Sequence, residues 1–212
     1  MNRSIQSKSR GPEGDQSSDP QSHCAGKPTG TSGVFAWRSG IFLTLTVLGT
    51  SADLVSKQIV FERLGLPGQS DPVWVIEGTL GIQTAVNPGA VFGMGAGKGL
   101  VFAAFSIFAL LGILLWMFRF QGFLSRWTTI TLGLITGGIL GNLYDRLGFW
   151  WNEYLPIEWK SGVRDWILFR IEGVPFFDPW PNFNIADALL VVGALMLFYQ
   201  SLVLENQQKQ ES

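Results

Sequence analysis

Cysteine and histidine are almost missing from this sequence, which has only Cys24 and His23 among its 212 residues. One cysteine cannot form an internal disulfide, and the two residues together are too few for a Cys/His metal site, so we expect neither metal nor cofactor. Charged residues are also scarce, at 15%, and the net charge of −1 provides no basic field for a nucleic acid. Hydrophobic residues reach 47%, a composition typical of membrane proteins.

Long uncharged runs decide the fold class. Three of them, at residues 99–118, 127–144 and 188–204, each approach the ~20 residues that cross a bilayer as a helix. The first run along the chain, at residues 39–52, is shorter and continues through DLVSKQIVF. The first run crosses only if Asp53 and Lys57, which follow it, are accommodated near the far interface. We therefore predict an all-α membrane protein with four transmembrane helices, at about 39–60, 99–118, 127–147 and 184–204.

The distribution of basic residues predicts the topology. Lys and Arg precede helix 1, connect helices 2 and 3 without any acid, and follow helix 4. By the positive-inside rule these segments are cytoplasmic, so both termini lie inside. Residues 1–36, rich in Ser, Gly, Pro and Gln, are predicted to be a disordered cytoplasmic tail. A transmembrane domain follows at 37–205, and a short cytoplasmic tail at 206–212.

The two segments that remain outside have different compositions. The first contains short β-like pieces on both sides of Gly78. The second, residues 148–182, contains five of the nine tryptophans, at Trp150, Trp151, Trp159, Trp166 and Trp180. Because tryptophan concentrates at membrane–water interfaces, we expect this aromatic segment to lie along the outer leaflet.

Two Asn-x-x-Asp pairs mark the candidate site: Asn142 with Asp145, and Asn184 with Asp187. Residues three apart share a helix face, and helices 3 and 4 run in opposite directions, so both pairs reach the same outer level. The predicted topology brings further polar residues there, namely Asp53, Lys57, Asn87, Arg146 and Asp165. Two neighbouring aspartates can share one proton and activate water against a peptide carbonyl without a metal.

Several sequence blocks resemble the lipoprotein signal peptidases, also called signal peptidase II or prolipoprotein signal peptidases. The blocks are DLVSK at 53–57, NPGAVFG at 87–93, GGILGNLYDRL at 137–147, VRDWI at 163–167 and WPNFNIADALLVVG at 180–193. The resemblance implies a four-helix membrane core with an extracytoplasmic β-cradle and an amphipathic lid. It also implies an aspartic endopeptidase of the bacterial inner membrane, with its active site near the outer leaflet.

The resemblance further implies a substrate and a set of site residues. The substrate is a prolipoprotein, cut just before a cysteine that carries diacylglycerol. Asp145 and Asp187 correspond to the catalytic pair. The site-supporting residues are Asp53, Lys57, Asn87, Gly89, Asn142, Arg146, Asp165, Asn184 and Ala186. The expected partners are this substrate and membrane lipid, with no nucleic acid, and the expected state is a monomer.

The sequence departs from the family pattern at Ser56, Pro88 and Val91, and by a longer stretch between Arg146 and Asp165. Two other functions stay open on the sequence alone. A proton-coupled transporter would also use carboxylates in a membrane, although such proteins usually need more spans or internal repeats. A non-enzymatic membrane assembly subunit would tolerate replacement of either aspartate.

Overall fold

The computed structural model describes residues 31–89, 97–119 and 125–211, with side chains from 33 to 204 within those ranges. These residues form four long helices: α1 (Thr31–Leu64), α2 (Gly99–Arg119), α3 (Arg126–Arg146) and α4 (Ile185–Glu211). A small sheet of four strands accompanies them: β1 (Val73–Ile76), β2 (Leu80–Asn87), β3 (Val163–Phe169) and β4 (Trp180–Phe183).

Within the described ranges, three segments are long and apolar enough to cross a membrane: Gly33–Leu64, Gly99–Arg119 and Ile185–Leu204. Their outward faces carry large apolar side chains, such as Phe105 and Phe108 on α2 and Leu195 and Phe198 on α4, each more than 60% exposed. Surfaces this apolar are unfavourable in water and suit contact with lipid.

Helix α3 is as long as α2 but rich in threonine and glycine, most of them buried. A Cβ at Gly137 would lie 3.3 Å from the carbonyl oxygen of Thr46 on α1, and one at Gly138 only 2.6 Å from that of Ala186 on α4. The Thr46 hydroxyl donates to the Gly133 carbonyl oxygen at 3.3 Å. The low hydropathy of α3 therefore reflects its neighbours, because it packs between other helices instead of against lipid.

The sheet has the order β1-β2-β3-β4, and all its neighbouring strands are antiparallel. The strands predicted around Gly78, which has a φ of 69°, are confirmed as β1 and β2. Asp165 on β3 pairs with Ala85 on β2. Only Asn184 separates β4 from α4, so the sheet brings Asp165 to the start of α4.

The structure differs from the sequence prediction in three segments. Helix α1 begins at Thr31, within the predicted tail, whose first 30 residues lie outside the described residues. Helix α4 continues to Glu211, through most of the predicted C-terminal tail. Residues 148–182 are not one loop, since they contain β3, most of β4 and a 3₁₀ turn at Ile157–Trp159. The partner of β3 is β2, some 80 residues earlier, and local patterning does not reveal such a distant pairing.

Candidate active site

A cavity of about 650 Å³ lies between the sheet and helices α3 and α4. Its polar lining consists of Asn87, Asn142, Arg146, Asp165, Asn182 and Asp187. Its apolar lining includes Val163, Trp180, Phe183, Leu190 and Val191. Asp165 and Asp187 are thus the two acids among the described residues that line this cavity, and Arg146 is the one cation.

Asp187 is held by the first turn of α4. The Asn184 side-chain oxygen accepts from the Asp187 backbone N–H at 2.9 Å, and the Asp187 Oδ2 atom accepts from the Asn184 backbone N–H at 3.2 Å. This reciprocal pair is a capping box, which explains the Asn-x-x-Asp spacing at the start of a helix. The Asp187 Oδ1 atom accepts a further bond from Asn142 Nδ2 at 2.8 Å.

Asp165 is the more deeply buried of the two cavity acids, with 2% of its surface exposed. Its Oδ1 atom accepts from Asn184 Nδ2 at 2.6 Å. Burial raises the pKa of the Asp165 carboxyl to about 8, and the negative charge of Asp187 adds to the rise, while hydrogen bonds from Asn184 and Asn87 and the charge of Lys57 oppose it. Asp165 therefore carries a proton at neutral pH.

Asn142 connects the cavity to a buried ionic cluster. Its side-chain oxygen accepts from Lys57 Nζ at 3.1 Å and from Asn184 Nδ2 at 3.2 Å. Its amide group donates to Asp187 at 2.8 Å. Because both ends of this amide are engaged, Asn142 has one orientation, and Asp187 is fixed by it.

The ionic cluster contains Asp53, Lys57, Asp145 and Arg164, all buried. Lys57 Nζ lies 2.7 Å from Asp53 Oδ2 and 3.2 Å from Asp145 Oδ2. Arg164 Nη2 lies 2.8 Å from Asp145 Oδ1. Two acids therefore face two bases in the cluster, and Asp53 and Lys57 of α1 are both paired within it.

Asp145 has different surroundings from Asp187, the residue with which the sequence analysis pairs it. Asp145 is 0% exposed, contacts both bases of the cluster, and is not among the cavity-lining residues. Residues three apart on a helix differ in direction by about 60°. That rotation lets Asn142 reach Asp187 while Asp145 faces Lys57 and Arg164.

Arg164 is a charged site residue that the sequence analysis missed, as it missed Asn182 of the cavity lining. It lies on β3 directly before Asp165, and it is only 3% exposed. A buried arginine needs an acidic partner, so the Arg-Asp step inside the otherwise apolar VRDWILF strand was the available signal. Adjacent residues on a strand point to opposite faces, which places Arg164 in the ionic cluster and Asp165 in the cavity.

Arg146 organises the loop that follows β2. Its guanidinium donates to the carbonyl oxygens of Asn87 (3.4 Å), Ser161 (3.1 Å) and Gly89. The Gly89 backbone N–H in turn donates to Asn87 Oδ1 at 3.0 Å. Arg146 therefore holds Asn87 at the cavity wall and Gly89 next to it, and it also places its own charge at that wall.

Ala186 is needed because of its small size. It is fully buried, and its backbone N–H donates to Asp53 Oδ1 at 2.9 Å. A Cβ at Gly141 on α3 would lie 3.2 Å from the Cβ of Ala186. Small side chains at both positions let α1, α3 and α4 meet around the Asp53 carboxylate.

Two acids on one cavity wall, one of them protonated at neutral pH, can act as a general base and a general acid on the same bond. In the described residues, no group of three or more His, Cys, Asp or Glu side chains is arranged to hold a metal ion. The chemistry that this arrangement supports is acid–base activation of water.

Comparison with known proteins identifies the family. Residues 45–203 match the family described as Signal peptidase (SPase) II. The chain belongs to the signal peptidase II family. It is therefore a peptidase, and the resemblance seen in its motifs is confirmed. Together with the apolar helices, membership indicates a multi-pass membrane protein.

Individual relatives extend across most of the chain. The lipoprotein signal peptidase of Rhodopirellula baltica is 56% identical over 176 residues, covering 82% of this chain and 78% of that protein. That of Bacillus subtilis is 30% identical over 172 residues, covering 81% and 99% respectively. A solved structure of a bacterial membrane enzyme, obtained by the in meso method at 2.3 Å resolution, matches with a TM-score of 0.65 and 25% identity. The match covers 82% of this chain and 93% of that one.

Proposed function

We propose that this peptidase removes the signal peptide from diacylglyceryl-modified prolipoproteins of bacteria, cutting before the lipidated cysteine, and that Asp165 and Asp187 are its catalytic pair. Its relatives in Rhodopirellula baltica and Bacillus subtilis are lipoprotein signal peptidases, which supports the substrate class. Membership of a peptidase family favours this function over the transporter and the assembly subunit.

The observation that carries the catalytic assignment is that Asp165 and Asp187 line one cavity and are both bonded to Asn184. Asp145, the partner suggested by the motif, is neutralised by Lys57 and Arg164 away from that cavity. Both carboxylate oxygens of Asp145 accept hydrogen bonds from Arg164, and Lys57 Nζ lies 3.2 Å from Oδ2, so both oxygens are engaged within the cluster. A carboxyl at the cavity wall with its pKa raised to about 8 is a suitable acid.

The proposed reaction begins with Asp187 ionised and Asp165 protonated. The Asp187 carboxylate takes a proton from water as the water oxygen attacks the scissile carbonyl carbon. Asp165 donates its proton to the carbonyl oxygen, which gives a neutral gem-diol and reverses the charges of the pair. Collapse of the gem-diol returns one proton to Asp165, transfers the Asp187 proton to the leaving amine nitrogen, and breaks the C–N bond. Because Asn184 Nδ2 occupies the Asp165 Oδ1 atom at 2.6 Å, the reacting proton is assigned to Oδ2.

The proposal includes the position of the enzyme in the inner membrane. We assign α3 as the fourth span, since it has the same 21-residue length as α2 and packs between α1 and α4. The basic residues at the predicted inner ends support cytoplasmic termini. The cavity and the sheet then lie at the outer leaflet, where α4 begins. We expect one copy to act as a monomer, because both catalytic acids come from the same chain.

The substrate proposal is tested with one precursor in two forms, with and without diacylglycerol on its cysteine. Leu190 and Val191 extend the apolar side of the cavity along α4, so acyl chains can be buried there and we expect the lipidated form to be cut much faster. Cleavage of each precursor by the purified enzyme would be followed by its change in mobility on a gel, with the Asp187→Asn protein as the inactive control. Equal cleavage of both forms would contradict the proposed substrate.

A further inference from the structure

We propose that Arg164 is a positioning residue for peptide cleavage, which holds Asp165 in place through a buried fork to Asp145. This inference rests on the proposed catalytic role of Asp165. It gives Asp145 a role different from acid–base catalysis, namely that of an anchor for the strand on which the proposed acid lies.

The contacts fix Arg164 at three points. Its Nε and Nη2 atoms donate to Asp145 Oδ1 at 3.1 and 2.8 Å, and its backbone N–H donates to Asp145 Oδ2 at 3.0 Å. Its carbonyl oxygen accepts from Asn184 Nδ2 at 3.4 Å. The residue directly before Asp165 is therefore held by α3 through its side chain and its amide, and by the start of α4 through its carbonyl.

Two aromatic rings also pack against the Arg164 guanidinium. The Arg164 Cζ atom lies 5.4 Å from the centre of the Trp150 ring and 6.0 Å from that of Phe61. The Trp150 indole N–H donates to the Gly162 carbonyl oxygen at 3.0 Å. Rings on both α1 and the stretch after α3 thus restrict the arginine, and cation–π attraction adds to its ion pair. The longer stretch between Arg146 and Asp165 supplies one of these rings.

The charges of the cluster make the idea testable. Asp53 and Asp145 balance Lys57 and Arg164. Arg164→Gln alone leaves one uncompensated negative charge, and Asp145→Asn alone leaves one uncompensated positive charge. The double variant is neutral again but lacks the fork. Stability therefore follows the charge balance, whereas the placement of Asp165 follows the fork.

The experiment uses the full-length protein in detergent micelles with a lipidated precursor. Arg164→Gln is expected to lower kcat by about 100-fold, as a small misplacement of a catalytic group does, with KM little changed. Arg164→Lys keeps the charge but not the fork, and should recover only part of kcat. The double variant should melt at a higher temperature than either single variant yet remain slow. The alkaline limb of the pH profile should also shift, because Asp165 moves relative to Asn184 and Asp187.

Arg170→Gln is the matched control. Arg170 follows β3, is 40% exposed, and pairs with Asp178 at 2.6 Å outside the cavity lining. It should keep the parental kcat and pH profile. A double variant of Arg164 and Asp145 that regains full kcat would overturn the proposal, since charge balance alone would then explain the cluster. A folded Arg164→Gln protein with the parental kcat and pH profile would also overturn the proposal. If Asp165→Asn itself remains active, the catalytic assignment fails instead.

Discussion

Adding one methyl group between α3 and α4 gives a quantitative test of the site geometry. In Gly138→Ala, the new Cβ would lie 2.6 Å from the Ala186 carbonyl oxygen, whereas ordinary contact begins at 3.4 Å. The contacted atom belongs to the backbone, so α4 must move by about 0.8 Å for the contact to become ordinary. A movement of α4 by that amount along the hydrogen bond from Asn142 Nδ2 to Asp187 Oδ1 lengthens this bond from 2.8 Å to about 3.6 Å, at which distance the bond is lost.

We expect Gly138→Ala to cost about 1–3 kcal/mol of stability, as overpacked cores do, and to lower kcat more than it raises KM. The assays are thermal unfolding in detergent and cleavage of the lipidated precursor. Gly112→Ala on α2 is the matched control, because no atom lies within 4 Å of its new Cβ. A Gly138→Ala protein as stable and active as the Gly112→Ala protein would refute the close packing on which the Asn142–Asp187 bond depends.

Two further predictions concern buried charges. Burial raises the pKa of Asp165 to about 8 from a usual value of 3.8, so folding takes up a proton between these pH values. The contribution of Asp165 to stability is then largest below pH 4 and falls as the pH rises toward 8. In thermal unfolding, Asp165→Asn should make the stability depend less steeply on pH over this range. The kcat/KM of the parent protein should decline above about pH 8. Lys57→Met removes the base that Asp53 and Asp145 share; it should cost about 3–5 kcal/mol in denaturant unfolding, and an unchanged midpoint would contradict the assigned cluster.

Hydropathy located the helices well, because lipid-facing residues are apolar whatever their tertiary contacts. Predicted helix 3, at 127–147, agrees with α3 at Arg126–Arg146, even though α3 carries so many small and polar residues. The strand prediction succeeded for β1 and β2, which are neighbours in sequence. It failed for β3, whose partner is distant and whose aromatic residues suggested a loop on the membrane surface.

The sequence analysis also expected several polar residues at one level, and four of them lie together in the structure. Asn142, Asp165, Asn184 and Asp187 form one connected hydrogen-bonded group in the structure. It did not predict which acids share a cavity, because depth along a helix says nothing about rotation around it. A turn of about 60° separates Asn142 from Asp145, and this rotation decides between the cavity and the ionic cluster.

The most direct test of the catalytic pair compares three asparagine variants, at Asp145, Asp165 and Asp187, for cleavage of a lipidated precursor by folded protein in membranes. Loss of the general acid or base should lower kcat of Asp165→Asn and Asp187→Asn by about 10²–10⁴-fold while both proteins stay folded. Asp145→Asn should lose about 3–5 kcal/mol of stability and, because it weakens the fork to Arg164, cleave more slowly by at most about 100-fold in its folded fraction. Parental cleavage by Asp165→Asn, together with a stable but inactive Asp145→Asn protein, would contradict the account and restore Asp145 as the partner of Asp187.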